Sequence, residues 1–178
     1  ARQLVEYGER WGFSVDVVPA FQLDGEEVSS TRVRNRLQEG NLIEAGRLLG
    51  RPHEISGEVI AGDGRGRTLG YPTANLATDL PPLLPNGVYA VKAYRLNSGG
   101  ADSLGPGMFF AGPRRTFREE ETQASLEVHL LDWSGSLYGD HLRLSILGRI
   151  RDAMTFSGVA DLTRQLEKDR VACAPYFE

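Results

Sequence analysis

The chain has 178 residues, a formal net charge of −4, 40% hydrophobic and 25% charged residues, which suits a globular protein with one good core, or one domain plus a fragment. The mildly acidic balance argues against bulk nucleic-acid binding, and no run of about 18 apolar residues offers a membrane span. A single cysteine, Cys173, excludes an internal disulfide and fits a reducing cytoplasm; no secretion signal is visible, and since the sequence starts at Ala1 rather than methionine an earlier start is left open.

Residues 1–20 read as a helix and then a strand. Leu4, Val5, Gly8 and Trp11 fall at helical spacing, Gly12 can end the helix in the left-handed region, and residues 13–18 are rich in β-branched side chains up to Pro19. A helix feeding a strand is half of an α/β unit and cannot bury its faces alone, so the chain is expected to open inside a domain whose earlier part is absent. Residues 28–50 read as two short helices. Ser29, Ser30 and Thr31 are N-cap candidates for the first, with Val33 and Leu37 as its stripe and Gly40 as its stop. Asn41 and Glu44 have capping-box spacing for the second, which buries Leu42, Ala45 and Leu49 and exits at Gly50 and Pro52. Arg32, Arg34 and Arg36 crowd the first turns of the first helix, where cations oppose the dipole unless an anion sits at that end.

From Ile55 the pattern changes to short strands between glycine, proline and aspartate turns, at residues 55–60, 87–94, 107–111, 125–131 and 141–147. Such spacing predicts a closed antiparallel barrel or a sandwich. Residues 80–85 form a stiff proline-rich connector and 97–100 a flexible loop. Val159, Leu162, Leu166 and Cys173 then recur at helical spacings behind a Ser157 cap.

The densest local signal lies at residues 62–75. Gly62, Gly64, Gly66 and Gly70 free the backbone to approach an anion, and Arg65 and Arg67 add phosphate-suited donors. Pro72 pushes Tyr71 toward extended geometry; if extension continues, Thr73 and Asn75 project from one face. A hydroxyl and an amide oxygen side by side are hard ligands of the kind Mg²⁺ accepts. Neither the P-loop nor the dinucleotide fingerprint is present, and a hairpin tip with solvated arginines fits the glycines equally well.

The combination Gly-Arg-x-x-Gly-Tyr-Pro-Thr-Ala-Asn-Leu at residues 66–76 resembles the signature of riboflavin kinases, above all the kinase half of the bacterial bifunctional riboflavin kinase/FMN adenylyltransferases (FAD synthetases). The resemblance runs over roughly residues 28–178. It implies a mainly β fold, a six-stranded Greek-key barrel with a C-terminal helix at 51–178, behind the C-terminal fragment of a Rossmann-like adenylyltransferase domain at 1–50. It implies Mg²⁺- and ATP-dependent phosphorylation of riboflavin to FMN, with Gly62, Gly64, Arg65, Gly66, Arg67, Gly70 and Pro72 around the phosphates and Thr73 and Asn75 on the metal. Leu-Glu-Val-His-Leu-Leu-Asp at 126–132 matches the segment whose glutamate, here Glu127, is the base. Strand alternation puts Glu127 and His129 opposite Leu126, Val128 and Leu130, and by pattern alone a solvent-facing acid on an outer barrel face is the better explanation. His129 reads as structural.

The same resemblance puts Tyr138 beside the adenine and Arg151, Phe156 and Phe110 near the flavin, with Arg151 in a closing loop. It places Ser29, Ser30, Thr31 and Arg34 in the adenylyltransferase's phosphate segment, although the histidine-bearing loop expected earlier in that domain is not in this sequence, so adenylyl transfer by this chain alone is not expected. Three departures stand out: Phe110 where asparagine is usual, Arg115 for proline and Ala153 for glutamate. They leave two rival readings, a non-catalytic flavin-binding module and a structural remnant docking through residues 1–50 onto a missing half. The expected partners are small molecules, riboflavin and ATP, and the adenylyltransferase domain.

Overall fold

The computed structural model describes residues 2–62, 64–113 and 124–178, with residues 65, 68 and 124 through their backbone alone. Helix α1 (Arg2–Trp11) ends at Gly12 with φ +76°, as its sequence requires. A small hairpin follows, β1 (Gln22–Leu23) with β2 (Glu26–Glu27). Helix α2 (Ser30–Gln38) is capped by Ser29, whose Oγ accepts from the Arg32 N–H. Helix α3 (Leu42–Leu49) is capped by Asn41 and closed by Gly50 in the left-handed region. Only half of the expected capping box forms: Asn41 accepts from the Glu44 N–H, while the Glu44 carboxylate turns to Arg32 and Arg47.

Six strands then close a barrel: β3 (His53–Ile60), β4 (Ala74–Ala77), β5 (Gly87–Asn97), β6 (Gly100–Pro113), β7 (Ala124–Leu130) and β8 (His141–Asp152). Their order is β3-β4-β7-β6-β5-β8, every neighbouring pair is antiparallel, and β8 returning to lie beside β5 makes the Greek key. A one-turn helix α4 (Arg65–Thr68) precedes β4, and helix α5 (Val159–Cys173) follows β8.

Alternation along each strand sends one set of side chains inward. Tyr89, Phe109, Val128, Leu142 and Leu144 fill the interior, and Leu42 of α3, Leu84 and Trp133 pack against them. A second, smaller apolar cluster lies on the outer surface, where Val88, Ala90 and Met108 meet Cys173 of α5. The barrel therefore has a second buried layer on one side, and that side carries the cleft described below.

Three expectations are corrected. Residues 13–18 form no strand, and Val17 and Val18 are exposed. β-branched residues favour a pleated surface that has neighbours, and among the described residues no strand lies alongside. Residues 97–100 are a tight hairpin in which Asn97 pairs with Gly100, so β6 starts well before 107 despite Gly100, Gly105 and Pro106. Pairing with β5 overrides their poor strand propensity, at the cost of a bulge at Ala93/Tyr94. Gly158, not Ser157, caps α5; the Ser157 hydroxyl donates instead to the Asp161 carboxylate, and Val159 faces solvent.

Candidate active site

The floor of the cleft is a row of ladder partners running across five strands. Asn75 on β4 pairs with Glu127 on β7, Glu127 with Phe110 on β6, Phe110 with Val88 on β5, and Val88 with Arg151 on β8. Antiparallel partners project to the same face, so all five side chains leave the barrel on its outer surface, along a line about 19 Å long at the usual strand spacing. Leu126, Val128 and Leu130 point the other way and are buried in the interior.

Above this row is a cleft of about 340 Å³. Gly64, Gly66 and Thr73 line its β4 side, and Met154, Phe156 and Leu162 line its far side, toward β8 and α5. The β4 side thus presents loop backbone and the Thr73 hydroxyl beside Leu69 and Tyr71, and the far side is apolar apart from Arg151 and Asp169. A pocket of this size with few convergent polar groups is the usual form of a small-molecule site.

The glycine-rich stretch is not an open loop. Gly64 takes the left-handed conformation ahead of α4, and the chain folds back so that Tyr71 N–H donates to the Gly66 carbonyl at 2.9 Å. Gly62 has a packing reason: a Cβ there would lie 2.0 Å from Asn75 Nδ2. The Asn75 amide therefore rests directly on bare backbone. Gly64 and Gly66 reach the cleft, whereas Arg67, Gly70 and Pro72 are exposed and do not line it. The Arg65 side chain lies outside the described residues.

Glu127 is held from two sides. Ser125 Oγ donates to its Oε1 at 2.7 Å, and Thr73 Oγ1 donates to its Oε2 at 3.1 Å. The Thr73 oxygen keeps its lone pairs, and Asn75 is the cross-strand neighbour of the carboxylate. Hydroxyl, amide and carboxylate oxygens converge here, a donor set that fits a hard divalent cation completed by ligand oxygens and water. No group of three His, Cys, Asp or Glu side chains able to hold a metal occurs among the described residues. His129 also lines the cleft. Its Nδ1 donates to the Pro72 carbonyl at 2.8 Å and its ring meets Tyr71.

At the other end of the row, Arg151 makes a fork with Asp169 of α5, Nε to Oδ1 at 2.8 Å and Nη2 to Oδ2 at 2.7 Å. Asp169 is 1% exposed and also accepts from Gln165 Nε2 at 2.8 Å. The Arg151 guanidinium lies 5.8 Å from the centre of the Phe156 ring. Arg151 stands in strand β8 rather than in a loop, because its pairing with Val88 extends the strand to Asp152. A second link to α5 runs from the Tyr71 hydroxyl to Glu167 Oε2 at 2.8 Å. Burial, then that bond, pushes the Tyr71 hydroxyl pKa up, while the same bond and Arg170 hold the Glu167 carboxyl below its ordinary value.

The structure gathers Glu127, Thr73, Asn75, Gly64, Gly66, Phe110, Arg151 and Phe156 around one cleft, together with Ala153. Tyr138 is not among them; it is 59% exposed in the turn after β7. Ser29, Ser30, Thr31 and Arg34 sit at the start of α2 and do not line the cleft, and the acids answer the flanking cations there, Glu26 and Glu44 on Arg32 and Glu39 on Arg36. Arg115 lies outside the described residues. Two polar residues escaped the sequence reading. Ser125 shares the outward face of β7 with Glu127, two positions away, and Asp169 interrupts the stripe Leu162, Leu166, Cys173; the period-2 and period-3.6 patterns carried both signals.

Residues 49–177 match the family model described as riboflavin kinase. The chain belongs to the riboflavin kinase family. It is 39% identical over 166 residues to the bifunctional riboflavin kinase/FMN adenylyltransferase of Listeria monocytogenes, covering 93% of this chain and 51% of that protein. The proteins of the same name from Bacillus subtilis and Escherichia coli K12 are 40% and 37% identical, over 85% and 98% of this chain and 47% and 54% of theirs. The chain thus spans about half the length of the relatives it matches. A crystal structure named as a macrolide-efflux protein from Streptococcus pneumoniae superposes with a TM-score of 0.77 at 34% identity, over 95% of this chain and 54% of that one. The riboflavin kinase barrel with its C-terminal helix is thereby established; no helix among the described residues is long and apolar enough to cross a membrane.

Proposed function

We propose that this chain transfers the γ-phosphoryl group of ATP to the 5′-hydroxyl of riboflavin, giving FMN and ADP. The observation that carries the reading is Glu127: a carboxylate lining the cleft, hydrogen-bonded to Thr73 and paired with Asn75. In the reaction the bond from γ-phosphorus to the bridging oxygen breaks and one to the flavin oxygen forms. Glu127 orients the attacking hydroxyl and takes its proton late, as phosphoryl transfer through a loose transition state requires. The glycine-bordered flank accommodates the phosphates, and the apolar flank with Phe110 and Phe156 takes the flat isoalloxazine ring. Thr73 and Asn75 would hold Mg²⁺, whose charge neutralises the phosphate oxygens when bound.

Arg67, Arg65, Gly62, Gly70 and Pro72 are assigned to shaping or approaching the phosphate flank, and Arg151 to the flavin side. Residues 51–178 form the kinase unit, and residues 1–50 belong with an adenylyltransferase half of the kind the relatives' names describe. Exposed Trp11, Phe13, Val18 and Phe21 support a docking role for the opening segment. Ser29, Ser30, Thr31 and Arg34 would then face that half's nucleotide. The reducing cytoplasm suits the buried thiol of Cys173.

The test is conversion of riboflavin to FMN with ATP and Mg²⁺, followed by chromatography, for wild type, Glu127→Ala and Asn75→Ala, each repeated with excess EDTA. Turnover by wild type alone, abolished by EDTA, supports the assignment. Flavin binding without any FMN would replace it with the binding-module reading.

A further inference from the structure

The carboxylate of Glu127 has two oxygens, and the proposed metal-binding loop accounts for only one of them. Thr73 belongs to that loop and touches Oε2. The other oxygen, Oε1, accepts the shorter bond, 2.7 Å, from Ser125. Ser125 sits two residues before Glu127 on the same outward face of β7, so its hydroxyl is fixed by the strand itself and not by the loop. Its ladder partner on β6 is Gly112, which has no side chain to compete for the space. That space is used by Phe110: a Cβ on Gly112 would lie 2.5 Å from the tip of the Phe110 ring. The aromatic ring therefore lies over bare backbone directly opposite Ser125, while Phe110 itself is the ladder partner of Glu127.

We propose that Ser125 is a positioning residue for phosphoryl transfer, anchoring Oε1 of Glu127 under the cover of the Phe110 ring so that Oε2 is turned toward Thr73 and the acceptor hydroxyl. The inference rests on the reading of Glu127 as the base. It also gives Phe110 a part, because an apolar ring beside this half-buried bond lowers the polarity around it, which strengthens a charge-assisted hydrogen bond. Without the anchor, the carboxylate of a long, flexible glutamate samples other rotamers, and a misplaced base costs rate far more than affinity.

The experiment is steady-state kinetics on Ser125→Ala, Ser125→Thr and Glu127→Gln, with riboflavin binding measured in parallel by flavin fluorescence and thermal unfolding as a control. Ser125→Ala is expected to lower kcat about ten-fold, with the KM values for riboflavin and ATP and the flavin affinity within about two-fold of wild type. Ser125→Thr, which keeps a hydroxyl on the same strand position, restores most of kcat. Wild-type kcat in Ser125→Ala beside an inactive Glu127→Gln overturns the proposal and leaves the base assignment standing. A loss in Ser125→Ala that follows flavin affinity or unfolding temperature, unrelieved by threonine, overturns it in favour of a structural role. Wild-type turnover by Glu127→Gln overturns the base assignment and the inference with it.

Discussion

The two faces of strand β7 come from the same seven residues and follow different rules. Inward, Leu126, Val128 and Leu130 join a core in which volume and apolarity are what count. Outward, Ser125, Glu127 and His129 are individually bonded, to one another or to the loop before β4. The inner face needs only alternation, whereas the outer face needs register. A slip of the β4–β7 pairing by one residue would send Asn75 into the barrel and leave Glu127 beside Ala74 or Leu76. The fold is thus robust to the exchange of one aliphatic residue for another, while the site depends on four ladders being in phase.

Substitutions should separate the faces cleanly. Glu127→Gln is expected to cut kcat by about two to four orders of magnitude, the usual worth of a general base, with the urea unfolding midpoint barely moved. Phe109→Ala, at the fully buried inner neighbour of Phe110, should instead cost about 3–5 kcal/mol of stability in urea titrations. Should both variants lose stability alike, the division between the faces fails. Asp169→Ala tests whether the outer layer has a core of its own: it strands the Arg151 guanidinium without its fork, and an unfolding free-energy loss of about 3 kcal/mol is expected.

Gly62→Ala probes the metal flank. Its added methyl would displace the Asn75 amide, and the Mg²⁺ concentration for half-maximal turnover should rise about ten-fold with flavin affinity unchanged.

Smallest is the effect at Cys173, where α5 seals the outer layer. Burial, reinforced by the charge of Asp169, pushes its thiol up to about 12, against an ordinary value of 9.0. A raised folded-state pKa means the thiol's contribution is complete below pH 9 and is lost above it, because only the unfolded chain then ionises. Between pH 8 and 10 wild type should lose about 1 kcal/mol more than Cys173→Ala, read from urea midpoints at the two pH values.

How much of this was legible in the sequence follows the same division. Five of the six barrel strands and the caps of α2 and α3 were readable, because alternation and capping act over a few residues, whereas the four-residue β4 (Ala74–Ala77) is too short to show a pattern. The strand expected at 13–18 was not found, since a strand exists only with a hydrogen-bonded neighbour and local propensity cannot supply one. The early half of β6 was missed for the converse reason: β5 makes a strand of residues that do not favour it. In the site, Thr73, Asn75 and Glu127 were recognisable by motif. Ser125 and Asp169 were not, because their importance lies in which atoms they meet, Oε1 of Glu127 and the fork of Arg151. Tyr138 shows the reverse case, a motif residue whose turn points it to solvent.

The most direct measurement is a crystal structure of this chain with riboflavin, Mg²⁺ and ADP. The flavin 5′-oxygen should lie within about 2.6–3.2 Å of a Glu127 carboxylate oxygen, with Thr73 and Asn75 on the cation and the flavin ring along the Phe110 side of the cleft. A flavin whose hydroxyl end points toward Arg151 and away from Glu127, or a cation held without Thr73 and Asn75, would contradict this assignment of the row.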